Sequence, residues 1–187
     1  MKRNGLVSKM FVFGIIAAFA GLALAAPVSA QVAQELKDAH KMMADGWKMY
    51  NDGQLTVIKG KEMNDLVAVQ MGFQNKMAQG DKIIQNGRNT QTQAATLFAQ
   101  GDKTFTENLA NPGVAKKGLK MMSDAFKMAG QGGKMIGQGL KMNNKVAAGA
   151  GAIEKFSQGN QVIETGMNTM AQGAKLFLQG ENLYLNK

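Results

Sequence analysis

Gly118-Leu-Lys-Met-Met-Ser-Asp124, Ala125-Phe-Lys-Met-Ala-Gly-Gln131, Gly132-Gly-Lys-Met-Ile-Gly-Gln138 and Gly139-Leu-Lys-Met-Asn-Asn-Lys145 follow one another without a break. Each unit opens on a small residue and carries Lys third and Met fourth. With the small residue written as heptad position a, Lys falls at c and apolar side chains at d and e. Positions a, d and e share one face of an α-helix, so the pattern predicts helices that bury glycine rather than loops that expose it.

The same unit recurs along the chain. Ala39-His-Lys-Met-Met-Ala-Asp45 and Gly46-Trp-Lys-Met-Tyr-Asn-Asp52 fit it, and Gly53 and Gly60 continue the small position. Gly80, Gly87, Ala94 and Gly101 follow, and then Ala152, Gly159, Gly166, Gly173 and Gly180. The string Met-Ala-Gln-Gly-x-Lys occurs at 77–82 and again at 170–175. A glycine inside a helix costs about 1 kcal/mol relative to alanine. The return is close approach, because two backbones without Cβ atoms at their contact pack nearer than the usual 8–10 Å. Methionine, unbranched and adaptable, suits the irregular gaps beside such a seam.

Breaks in the heptad count the helices. Val67 to Gly80 spans 13 residues where 14 would hold phase, Val146 to Ala152 spans six where seven are needed, and Asn111-Pro112-Gly113 is a helix stop. The expected architecture is therefore all-α: four antiparallel helices near 32–72, 76–109, 115–144 and 148–187, packed through Gly/Ala seams as a bundle or as long hairpins, with a central turn at 111–113.

Residues 1–30 read as a secretory leader rather than as fold. Lys2, Arg3 and Lys9 precede an uncharged apolar run over 10–26, and Val28-Ser29-Ala30 offers small residues for cleavage before Gln31. The expected mature protein is one domain, 31–187, periplasmic or extracellular. It contains no Cys and a single His, His40. That excludes disulfide scaffolds, Cys-ligated zinc, iron–sulfur clusters, cysteine nucleophiles and metal sites with several His from one chain.

Charge is concentrated. The full chain carries 22 Lys and Arg against 13 Asp and Glu; without the leader's three basic residues the surplus is six. Residues 31–113 and 146–187 are each balanced, and residues 114–145 carry seven Lys against Asp124 alone. Lys116, Lys117, Lys120, Lys127, Lys134 and Lys141 therefore mark a contact for an anionic partner: lipid headgroups, polysaccharide or an acidic protein. The blander reading is a solvated flank that keeps the protein soluble. Nucleic acid is not expected, because Arg88 is the only Arg after the leader and no aromatic platform accompanies the lysines.

Thirteen Met follow the leader. Thioethers prefer Cu(I), and His40, Met42, Met43 and Met49 cluster in one helix, so an envelope Cu(I)/Ag(I) site is one reading. Core packing is the other, because Met at d stands where Ile, Leu or Phe stands in other heptads. No enzyme signature is present: Gly-x-Ser-x-Gly and His-Glu-x-x-His are absent and no strand precedes a Gly-rich loop. The expected function is an exported structural or interaction protein, self-associating as a homo-oligomer or binding an anionic envelope partner. Small, basic, Met-bearing envelope proteins also include stress chaperones of the Spy type, so a holdase role is a further alternative. The likeness is one of class, since the Leu-Thr-x-x-Gln signature is missing: Leu55-Thr56 is followed by Val57-Ile58-Lys59.

Overall fold

The computed structural model describes the backbone of residues 6–185 and the side chains of residues 30–185. Of the expected leader, the side chains of residues 1–29 lie outside the described residues. Four helices follow in order: α1 (Leu6–Gln70), α2 (Ala78–Glu107), α3 (Pro112–Gly149) and α4 (Ser157–Leu185), with a 3-10 turn at Gln74–Met77. There is no strand among the described residues, and within residues 30–185 no helix is long and apolar enough to cross a membrane.

Position a builds two tight antiparallel ribbons, α1 against α4 and α2 against α3. Gly46 faces Gly173, Gly53 faces Gly166 and Gly60 faces Gly159; in the other ribbon Gly80 faces Gly139, Gly87 faces Gly132 and Gly101 faces Gly118. A methyl group added at Gly53 would lie 2.6 Å from the Gly166 carbonyl oxygen, and one at Gly166 would lie 2.6 Å from that of Gly53. Backbone meets backbone, which brings Cα–H groups within reach of carbonyl oxygens across the seam.

Position e joins the ribbons to each other. Tyr50, Val57, Ile84, Phe98, Met122, Ile136, Ile163 and Phe177 are all buried between them. Position d is different from the expectation that it shares the buried face. Met42, Met49, Met63, Met121, Met128, Met135 and Met142 are only half-buried, on the outer flank of each seam. The methionines that do fill the core are Met43, Met77 and Met122.

All three turns exist, two of them displaced. Asn111-Pro112-Gly113 starts α3 instead of forming the turn: the Asn111 side chain accepts a hydrogen bond from the Val114 N–H and Pro112 opens the helix. The third helix runs past the expected stop at residue 144, and α4 starts at Ser157 rather than near 148. Asn143-Asn144 resembles a turn, but Asn143 is buried over Gly80 and donates to Asp81 Oδ1 at 2.8 Å. The true stop is Gly151, at φ 69°, matched by Gly72 at φ 73° where α1 ends. Each is followed by a bond that closes the helix end, Phe73 N–H to Ala68 O (3.0 Å) and Ala152 N–H to Ala147 O (2.8 Å).

The match between these two turns exposes an internal duplication. Residues 39–106 align without a gap on residues 118–185, and 26 of the 68 pairs are identical. The structure repeats with the sequence. Trp47 stacks on Phe98 at 4.3 Å, and their counterparts Phe126 and Phe177 stack at 4.0 Å. Asn64 donates to Asn160 at 2.9 Å as Asn143 donates to Asp81. The bundle is thus two copies of one helical hairpin, and each tight seam joins one copy to the other.

Candidate functional site

The outer flank of the α2/α3 ribbon is built from positions c and d. On α3 these are the exposed Lys120, Lys127, Lys134 and Lys141, each beside a half-buried Met121, Met128, Met135 or Met142. One residue in seven along a helix of 1.5 Å rise places the lysines about 10.5 Å apart. On α2 the same positions hold Lys82, Ile83, Asn89, Thr90, Thr96, Leu97, Lys103 and Thr104, so no acidic residue stands at c or d on either helix. The flank is cationic with an apolar thioether row running through it.

Local pairing leaves much of that charge free. Lys120 Nζ lies 2.6 Å from Asp124 Oδ2, and this hydrogen bond and charge hold its ammonium above the ordinary value. Lys127 lies 3.9 Å from both Asp124 and Glu181. Lys134 and Lys141 pair with no carboxylate among the described residues. Lys116 is half-buried and Lys117 exposed in the first turns of α3, at the end of the same row. The duplication supplies an internal comparison. Where α3 has Lys120, Lys127, Lys134 and Lys141, α1 has Lys41, Lys48, Leu55 and Glu62. Leu55 is 59% exposed. Only the second copy carries the complete lysine row.

The residues considered for copper are not brought together. His40 faces α2, where its Nε2 lies 2.6 Å from Asp102 Oδ1 and its ring stacks on Phe105 at 4.2 Å. Met42 and Met49 flank the seam with α4, beside Gly180 and Gly173, on the other side of α1. Met43 is fully buried in the core. No cluster of three or more His, Asp or Glu suited to a metal ion occurs among the described residues.

One polar layer was not anticipated from the sequence. Midway along the bundle the four e positions are Tyr50, Gln91, Ala129 and Met170. Tyr50 Oη donates to the Ala129 carbonyl at 3.0 Å, while both amide atoms of the buried Gln91 lack a hydrogen-bond partner. Burial pushes the Tyr50 phenol above its ordinary 10.0, opposed in part by the Gln91 amide beside it. The folded state therefore holds this proton more tightly than the unfolded chain does. The resulting stability is complete below about pH 10 and is lost as pH rises through the raised pKa. Between pH 8 and pH 11 the urea midpoint should fall further for the wild type than for Tyr50→Phe, which lacks this phenol. Equal falls in the two proteins would refute this contribution.

No protein-family model matches the chain, and no curated protein or solved structure matches it either.

Proposed function

We propose that the chain is an exported, non-enzymatic helical binding protein that docks on an anionic lipid surface through the outer flank of α3. The observation that carries this reading is the lysine row itself: four exposed cations on one line, two of them without a carboxylate partner among the described residues, on α3, the helix that holds the whole charge surplus. The adjacent row of half-buried methionines favours an amphiphile over a polysaccharide, because flexible thioethers can bury against acyl chains while the ammonium groups stay among headgroups. The α1/α4 ribbon would then face away from the surface.

Each lysine near an anionic membrane contributes about 1 kcal/mol, so four contribute about 4 kcal/mol, roughly a thousandfold in partitioning. Residues 31–187 should bind vesicles containing phosphatidylglycerol, release them at high salt, and ignore purely zwitterionic vesicles. Changing Lys120, Lys127, Lys134 and Lys141 to Gln should reduce binding at least a hundredfold without loss of helicity. Binding that survives both the salt and the substitutions would sink the proposal. Selective binding to an acidic polysaccharide, with none to vesicles, would replace the lipid partner.

A further inference from the structure

The two seams obey a single register. Gly101 and Gly118 lie equally far along the chain from the Leu109–Ala110 bond, and so do Gly46 and Gly173 in the other ribbon. Every facing pair between them keeps this rule. The skips in the heptad keep it too: Val67 to Gly80 and Val146 to Gly159 each span 13 residues, at facing places on the two halves. An equal skip on both sides leaves the seam aligned through the bend.

The duplication itself imposes that common register, because a shift of 79 residues carries the Gly46–Gly173 pair onto Ala125–Ala94. A straight hairpin needs the same register. The bend consists of two turns side by side, 71–77 and 150–156, with Phe73 and Phe156 in contact at 6.0 Å between ring centres. If both turns straighten, α1 runs on into α2 and α3 into α4. All glycine pairs are then retained, and only the contacts between ribbons are lost.

We infer that a second copy of this chain supplies those contacts, by exchange of ribbons. Two opened hairpins would lay the α1/α4 ribbon of each against the α2/α3 ribbon of the other. The buried e positions would recover the same neighbours, now across chains, including the Trp47–Phe98 stack and the Tyr50 bond to Ala129. The interface is already complementary because it is the interface of the closed monomer. This inference is independent of lipid docking.

The hinge glycines provide the test. Gly72 and Gly151 sit at positive φ, which disfavours alanine in the turn, whereas in a continuous helix alanine is favoured over glycine. Gly72→Ala with Gly151→Ala should therefore raise the dimer fraction at least tenfold at equal concentration, read by light scattering, with X-ray scattering showing a particle nearly twice as long. Asparagine tolerates positive φ, so Gly72→Asn with Gly151→Asn should remain monomeric. Wild type refolded at high concentration should yield some of the same dimer. The exchange itself is read by adding His40→Cys and Asp102→Cys, since the chain has no other Cys, and bridging the two thiols with a short bismaleimide, because these side chains meet at their tips rather than at Cβ. The bridged dimer should run as a covalent dimer under denaturing conditions. Dimers that keep the bridge within each chain would overturn the exchange, as would a strict monomer in both the alanine variant and the refolded wild type.

Discussion

Gly53→Ala lowers the stability of the bundle by about 2 kcal/mol, and the same change at Gly130 raises it by about 1 kcal/mol. Alanine is the better helix former at both sites, so propensity alone gives the same sign twice. Surroundings separate them. The new methyl at Gly53 meets the Gly166 carbonyl oxygen at 2.6 Å and the Met170 backbone nitrogen at 2.6 Å, while at Gly130 it meets nothing within 4 Å. Backbone cannot rotate out of the way as a side-chain tip can, so the ribbon must part and neighbouring pairs loosen with it. Gly53→Ala combined with Gly166→Ala should cost roughly 4 kcal/mol, with departures from additivity because the two sites share one contact. Chemical denaturation of the three variants checks this. Stabilisation at Gly53 would show that the seam is looser than described.

Phe177→Ala should cost about 4 kcal/mol, the usual penalty for emptying a buried aromatic site, and lower Tm by roughly 8–16 °C in a chain of this size. Phe177 is fully buried, stacks on Phe126, and lies 6.4 Å from Phe98. Its backbone also lines the seam opposite Gly46, so the ring cannot be replaced by inward movement of the helix. Phe98→Ala, its counterpart in the first copy, should behave alike, because Trp47 takes the place of Phe126 against it. A scanning calorimetry shift below about 3 °C for both would contradict the description of this layer as the bundle's main aromatic core.

Much of this architecture is written in the heptads. Small residues at a, from Ala39 to Gly180, identify helices and the faces that touch. The three interruptions locate the turns, and the Lys120 to Lys141 row is plain in the sequence. What the heptad leaves open is which helix meets which. The unit is nearly the same in all four, so Gly46 could as well face α2 as α4. The flanks d and e are equally ambiguous when both are apolar, and only packing shows that Met43 is core while Met42 is half-exposed.

The duplication was hidden for a related reason. A seven-residue repeat makes every alignment shifted by a multiple of seven look good. The true offset, Gly72 upon Gly151, is not such a multiple. Residues 41–43 and 120–122, both Lys-Met-Met, fit the heptad equally well whether or not they are counterparts. The Gln91 layer had no local signature, since a glutamine at e is unremarkable until its neighbours are known.

The duplication also gives the lipid-docking account its most direct test, because it sets two homologous flanks in one molecule against each other. Amide spectra of residues 31–187 recorded with and without nanodiscs rich in phosphatidylglycerol would distinguish them. The account predicts broadening concentrated on α3 around Lys120, Lys127, Lys134 and Lys141 and on the adjoining c and d positions of α2, with the equivalent stretch of α1 from Lys41 to Glu62 unchanged. Broadening centred instead on Leu55, Leu66 and the exposed Leu178 of α4, or no broadening at all, would contradict it.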